Sequence, residues 1–334
     1  MVITGQVVVP PAVRPPAIIG IVAPASPVRE ASLAAGRRYL EARGFETVVS
    51  GGITARQHHL AGDANRRRRE IEAMFAEESV AAVFAARGGY GSLQLLAGLD
   101  YALLARRPKF LLGYSDLTAL QLALWQRCRL QSLSGPLVAV EMARGGAEIN
   151  EALLWGLLGR QPAGELQKLM SPYLGGEGIA VTRPGRVTGR LLGGTLSVMA
   201  SLAGTGYLPD FAGRIIIFEE RGERLYRLDR YLTQLRLAGV FSRPAMVVCG
   251  DFSLPDDEEQ ALLPSFLADF FAADDFPVVR GFAYGHCRRS FIFVQGGYYE
   301  FDLPAATIRL LPEDGVPAAQ LTTENQQPTT TKRD

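Results

Sequence analysis

Ser115 lies in the run Lys109-Phe110-Leu111-Leu112-Gly113-Tyr114-Ser115-Asp116-Leu117-Thr118. Residues 110–112 have the character of a buried strand end, Gly113 permits a sharp bend, and helical spacing resumes over residues 117–124. Ser115 is therefore expected on a strand-to-helix turn, with Asp116 and Thr118 in the first turn of the helix. A hydroxyl placed there stands beside unpaired helix N–H groups, which suits a nucleophile whose developing oxyanion needs donors. The same position also suits an ordinary N-cap serine. The pattern is not Gly-x-Ser-x-Gly, because Leu117 stands where the last glycine would be.

A second glycine-marked turn, Gly88-Gly89-Tyr90-Gly91, follows the apolar run of residues 80–86. It is not a dinucleotide fingerprint: Gln94 occupies the third glycine position, and no strand-end acid follows at the expected separation. The glycines allow backbone N–H groups to approach an anion or oxyanion closely, and they equally allow a tight turn without a ligand. If an imidazole activates a serine, the choice is between His58, His59 and His286. The first two fall in a polar loop at residues 51–65 and are expected at the surface. His286 follows Tyr284-Gly285 at a strand end, which suits a structural or a catalytic residue. Glu219 ends the strand of residues 214–218 and is placed to orient a histidine, as the acid of a triad does. Glu220 points to the opposite face of a regular strand, and alternation alone does not say which of the two faces the site.

These residues need a scaffold, and the pattern between them supplies one. Strands expected at residues 17–22, 45–49, 80–86 and 110–113 alternate with helices at 28–43 and 66–75, a further helix opened by the turn at 88–91, and one after Ser115. That alternation implies an α/β fold with a parallel, doubly wound sheet, whose ligand sites lie at the carboxyl ends of the strands. Leu33, Tyr39 and Leu40 are expected on the inner face of the first helix. Residues 1–16 read as an extended lead-in. Residues 146–185 read as an inter-domain connection with a short helix at 152–158, between an N-terminal domain of residues 1–145 and a second of residues 186–312. In the second domain strands are expected at 186–192, 214–218, 245–249 and 277–282, with helices at 196–202, 227–237 and 256–271. Residues 290–294 and 298–303 are expected to form a hairpin through Gln295-Gly296-Gly297. The polar tail at 313–334 is expected to be disordered. No internal repeat is present.

Composition narrows the function classes. The 334 residues are 48% hydrophobic and 21% charged with a net charge of +1, so nothing in the balance recruits nucleic acid or an anionic membrane. The run Arg66 to Arg69 is followed by Glu70, Glu72, Glu77 and Glu78, and is expected to be a solvated helix face. Three cysteines (Cys128, Cys249, Cys287) form no Cys-x-x-Cys pair. Cys128 and Cys249 are expected in the core, and Cys287 beside His286 belongs to no metal-ligand spacing. With no His-Glu-x-x-His segment either, no metal and no cofactor is expected. No signal-peptide pattern and no apolar run of membrane-spanning length is seen, so the cytoplasm is the expected location.

Five segments in register then resemble the LD-carboxypeptidase family of serine peptidases: Arg87-Gly88-Gly89-Tyr90-Gly91, Gly113-Tyr114-Ser115-Asp116-Leu117-Thr118, Gly193-Gly194-Thr195-Leu196-Ser197, the stretch from Phe218-Glu219-Glu220 to Asp229-Arg230, and Tyr284-Gly285-His286. The resemblance covers residues 17–311. It implies a Rossmann-like N-terminal domain and a smaller, mainly β C-terminal domain, with the site assembled across them, usually in a homodimer. The family's triad falls on Ser115 as nucleophile, Glu219 as orienting acid and His286 as general base. Its oxyanion donors fall on the backbone N–H groups of Asp116 and of the Gly88–Gly89 turn, with Gly88 favoured. Arg87 and Gly89 are candidates for substrate contact. Arg87 is placed to read a free carboxylate or to act as a structural partner within the fold. The activity implied is removal of the terminal D-alanine from murein tetrapeptide during cytoplasmic cell-wall recycling, with a muropeptide as substrate. A second branch of the family acts on a peptidyl-nucleotide antibiotic of the microcin C type. The segment Gly193-Gly194-Thr195-Leu196-Ser197 resembles the murein branch, although Thr195 replaces an expected asparagine. Phe293-Val294-Gln295-Gly296 likewise departs from the family's turn. A non-catalytic protein holding a carboxylate or phosphate at the Gly88 turn is the reading from a different class.

Overall fold

Strand and helix alternate through the first half of the protein, seen in a computed structural model that describes residues 6–315. The order is β1 (Ile18–Val22), α1 (Glu30–Glu41), β2 (Glu46–Val49), α2 (Ala64–Ala76), β3 (Val80–Ala85), α3 (Tyr101–Arg106), β4 (Phe110–Gly113), α4 (Thr118–Cys128) and β5 (Ser132–Ser134). There follow α5 (Glu151–Leu158), α6 (Ala163–Met170), β6 (Ala180–Val181), β7 (Arg186–Thr195), α7 (Leu196–Leu202), β8 (Ile215–Arg221), α8 (Leu225–Leu237), β9 (Met246–Ser253), α9 (Asp257–Phe270), β10 (Val278–Arg280), β11 (Phe293–Gln295), β12 (Tyr298–Asp302) and β13 (Thr307–Leu311).

The first sheet runs β11-β5-β4-β3-β1-β2, parallel except for β11. The second runs β13-β12-β7-β8-β9-β10-β6, with the four central strands parallel and the outer ones antiparallel. The fold is thus mixed α/β, with a parallel N-terminal sheet and a strand-rich C-terminal part. Short, apolar runs such as Ile-Ile-Gly-Ile-Val in β1 suit strands covered on both faces. Along β8, Ile215 and Ile217 enter one buried cluster while Ile216 and Phe218 enter the other, the two-residue period of a strand buried on both sides. Each cluster draws residues from both sheets: one includes Ile19, Phe84 and Val248, the other Val83, Leu111 and Val247. The two sheets therefore share their cores rather than each burying its own.

Leu33, Tyr39 and Leu40 do lie on the inner face of α1, and α7 spans the residues expected of it. Elsewhere the structure differs. The turn at residues 88–91 opens a 3-10 turn (Ser92–Leu95), not an α-helix. Strands β11 and β12 are not a hairpin: β11 pairs with β5 in the first sheet, and β12 pairs with β7 and β13 in the second. The glycines between them redirect the chain from one sheet to the other. Residues 146–185 contribute to the core, since Leu153, Leu154, Leu157 and Leu158 of α5 are buried. The lead-in is tied down where described: Val8 forms a parallel bridge with Leu130, and Val13 N–H donates to the Leu158 carbonyl at 2.8 Å. Glu313 pairs with the buried Arg190 at 3.0 Å, so the chain is ordered into the start of the tail. Residues 316–334 lie outside the described residues.

Candidate active site

Ser115 follows β4 directly and starts a 3-10 turn (Ser115–Leu117) that leads into α4. Its φ is +63°, a left-handed conformation that a non-glycine residue adopts at a cost of about 1–3 kcal/mol. The capping position belongs to Tyr114, and no side-chain cap bond is made there. The serine hydroxyl is thus not consumed as an N-cap, and the backbone strain turns it out of the sheet's end instead.

The turn at Gly88 lies against it. A Cβ on Gly88 would come 3.1 Å from Ser115 Cβ and 3.3 Å from its Oγ, so a side chain there would crowd the serine unless one of the two gave way by a few tenths of an ångström. The turn is fastened from three sides. Ser26 donates its N–H to the Gly88 carbonyl (3.2 Å), and its Oγ accepts from Tyr90 N–H (3.2 Å). Asp116 Oδ2 accepts from Ser92 N–H at 2.8 Å, so this carboxylate caps the neighbouring turn rather than its own helix. Arg67 donates to the carbonyls of Pro24 (2.6 Å), Gly91 (3.0 Å) and Gly62 (3.1 Å). Arg67 is 1% exposed, which overturns the solvated-face expectation for the arginine run. The backbone N–H groups of Gly88 and Asp116 have no protein acceptor among the described residues.

A carboxylate from the second sheet and an imidazole from the loop between β10 and β11 meet Ser115. His286 Nε2 lies 3.2 Å from Ser115 Oγ, and its Nδ1 lies 2.7 Å from Glu219 Oε2. Glu219 sits near the end of β8, 1% exposed, and its other oxygen, Oε1, accepts from Thr195 Oγ1 at 2.5 Å. Thr195 closes β7 and is itself held by donation of its N–H to Thr118 Oγ1 at 3.1 Å. A register shift in the β8–β9 pairing falls between Phe218 and Glu220. Glu219 turns toward His286, whereas Glu220 accepts from Ser197 N–H (2.7 Å) and Arg221 N–H (3.0 Å). Burial alone would depress the His286 imidazole. The hydrogen bond and charge of Glu219 outweigh it, and the pKa lies above the ordinary histidine value. Tyr114 packs its ring 5.0 Å from the His286 ring and donates its hydroxyl to Glu141 at 2.8 Å. Burial pushes the Cys287 thiol up to about 11, so it is not a competing nucleophile at neutral pH.

The constellation opens into a cleft of about 540 Å³, lined among others by Arg87, Gly88, Gly89, Ser115, Thr195 and His286. Arg87 donates to the Pro27 carbonyl at 3.2 Å. His58 and His59 are exposed in a tight turn at residues 57–60, and neither lines the cleft. Among the described residues no group of His, Cys, Asp and Glu is arranged to hold a metal, and no helix is long and apolar enough to cross a membrane.

Sequence reasoning did not find Ser26, Arg67 or Gln295 as supports of this site. Arg67, Ile71, Met74 and Phe75 form the buried face of α2, so helical spacing held the signal for Arg67. Gln295 of β11 accepts from Gly193 N–H at 3.1 Å and donates to the Gly193 carbonyl, so its amide joins the first sheet to β7 of the second. Gly193 has φ +156°, and a Cβ there would run into the Ile217 carbonyl. No local signal marked that pairing.

Comparison with known proteins places the chain in a family. The family model for the LD-carboxypeptidase N-terminal domain matches residues 19–135, and that for the LD-carboxypeptidase C-terminal domain matches residues 188–301. The chain is 33% identical over 276 residues to the murein tetrapeptide carboxypeptidase of Pseudomonas aeruginosa, covering 80% of this chain and 87% of the relative. It is 30% identical over 275 residues to a probable murein peptide carboxypeptidase of Bacillus subtilis, covering 81% and 84%. The fold is similar to that of MccF in complex with glutamyl sulfamoyl guanosine, with a TM-score of 0.82 at 18% identity over 92% of this chain and 99% of that one. Both domain models and both relatives lead to one conclusion: this chain belongs to the LD-carboxypeptidase family of serine peptidases.

Proposed function

We propose that this protein is a metal-independent serine carboxypeptidase that hydrolyses the L,D-peptide bond releasing the terminal D-alanine of murein tetrapeptide. The observation that carries the reading is the unbroken chain Ser115 Oγ, His286 Nε2, His286 Nδ1, Glu219 Oε2, with contacts of 3.2 and 2.7 Å and with Ser115 and His286 lining the cleft. In this reading His286 takes the Ser115 proton as the oxygen attacks the carbonyl carbon of the diamino-acid residue. Glu219 keeps the other ring nitrogen protonated and stabilises the imidazolium. The negative oxygen of the tetrahedral intermediate is stabilised by the N–H groups of Gly88 and Asp116. His286 then returns the proton to the departing D-alanine nitrogen. Water repeats the sequence on the acyl-enzyme and frees the shortened peptide. Thr195 supports the arrangement by holding Glu219 Oε1, so that Oε2 remains on the histidine.

The murein assignment draws on the relatives' activity and on the Gly-Gly-Thr-Leu-Ser segment that forms the β7–α7 junction. Purified protein given an L,D-linked tetrapeptide and, separately, a peptidyl-adenylate analogue tests it. D-Alanine release from the tetrapeptide is expected. Cleavage of the adenylate alone would move the protein to the peptidyl-nucleotide branch, and turnover of neither would favour the binding-protein reading.

A further inference from the structure

A carboxypeptidase has to distinguish a free α-carboxylate from an internal peptide, and a planar guanidinium does so through two parallel hydrogen bonds. Four arginines line the cleft: Arg87, Arg144, Arg221 and Arg288. Glu148 engages two of them, Arg144 at 3.2 Å and Arg288 at 3.8 Å. Arg87 is tied to the Pro27 carbonyl at the edge of an adjoining hollow that it shares with Arg29 and Arg56. Arg221 differs. It ends β8, two residues beyond Glu219, is exposed, and among the described residues its guanidinium has no hydrogen-bond acceptor and no carboxylate within ion-pair distance. Its backbone is nevertheless held by the buried Glu220 carboxylate, which fixes where the side chain leaves the strand. It lines the same cleft as Ser115 and His286.

We propose that Arg221 is the specificity residue that reads the substrate's terminal α-carboxylate. The assignment rests on the carboxypeptidase reading and gives this role not to Arg87, for which the sequence left a carboxylate-reading and a structural role open, but to a residue anchored on the same strand as Glu219. It makes the strand bearing the triad acid also the ruler for the substrate's end.

The test separates recognition from turnover. On the full chain carrying Ser115→Ala, calorimetry compares an N-acylated L-lysyl-D-alanine with its C-terminal carboxamide. The acid is expected to bind about 10- to 100-fold more tightly than the amide, as a charge-assisted pair would give. Adding Arg221→Gln should collapse that preference to below about threefold, whereas adding Arg87→Gln should preserve it. Absence of any acid preference in the parent overturns the proposal. So does a preference that survives Arg221→Gln, or one abolished by Arg87→Gln alone. Wild-type tetrapeptide turnover is measured alongside. An acid preference that depends on Arg221, without turnover, would refute the enzymatic reading while leaving the carboxylate site standing.

Discussion

The two sides of the cleft are built by different means. On the first-sheet side, Ser115 and Gly88 are placed by local backbone: a left-handed serine at φ +63° and a glycine turn that allows 3.1 Å proximity where a Cβ would stand. On the second-sheet side, Glu219 and His286 are placed by side chains reaching between elements far apart in sequence, through Thr195, Thr118 and Gln295. Strain in a short segment presents the Ser115 hydroxyl, and a buried hydrogen-bond chain aligns Glu219 with His286. Glu219 and Glu220 show how fine the second kind of placement is. Both are buried neighbours on β8, yet one meets the histidine and the other meets the start of α7.

Substitutions that attack each side in turn should give separable signatures. Ser115→Ala should have the largest effect, lowering kcat by about 10⁴-fold or more while the thermal midpoint changes little. Wild-type-like turnover in that variant would remove Ser115 from the mechanism. Glu219→Gln should lower kcat by about 10²- to 10⁴-fold. Glu220→Gln should leave kcat within about tenfold and instead lower stability by about 1–3 kcal/mol, since it weakens the acceptor for two backbone donors. Equal kinetic effects from the two would show that the acid has been taken from the wrong face of the strand.

The pH profile sharpens the same contrast. His286 must be neutral to accept the serine proton, so kcat/KM rises with pH through its pKa. Glu219 raises that pKa above the ordinary 6.5, which places the acid limb above pH 6.5. In Glu219→Gln the limb should move to lower pH, and an unmoved limb would mean that another group controls it.

Gly88→Ala comes next on the local side. Its Cβ would press on Ser115 and displace the N–H proposed to bind the oxyanion, so kcat should fall by about 10- to 10³-fold with a smaller change in KM. A pure KM effect would make Gly88 a binding element only. On the long-range side, Gln295→Leu should cost about 1–3 kcal/mol in denaturant unfolding, because it strands the buried N–H and carbonyl of Gly193. Unchanged stability would show that the two sheets hold together without that amide. The smallest expected effect is that of EDTA, which should leave turnover unchanged. Loss of activity restored by zinc would contradict the serine mechanism.

How much of this was legible in the residues follows the same division. The amphipathic face of α1, the strand at Phe110–Gly113 and the helix at Leu196–Leu202 were read from periodicity and glycine placement, because hydrophobic spacing and turn chemistry are local properties. Where two elements had to meet, that reading failed. Gln295-Gly296-Gly297 has the composition of a hairpin turn, but β5 and β7 each offered β11 and β12 a better partner than they offered one another. Arg67 has the charge of a surface residue, but three carbonyls around the glycine turn outweighed the cost of removing it from water.

By itself the sequence determined the alternating α/β pattern, the serine at a strand-to-helix bend, the glycine turn, and the short set of histidines and strand-end acids from which a base and its partner could come. The family resemblance already puts Glu219 with His286. What strand alternation leaves open and only the tertiary structure supplies is that Glu219 turns to the histidine while Glu220 turns to Ser197, that Thr195 takes the carboxylate's second oxygen, and that Arg221 presents to the cleft a guanidinium without a hydrogen-bond acceptor among the described residues. The physical reason is range. Turns and periodic faces are set by torsions and spacing within a few residues. The direction of a buried side chain is set by which donors and acceptors the folded chain brings around it, and those come from 171 residues away in the case of Ser115 and His286.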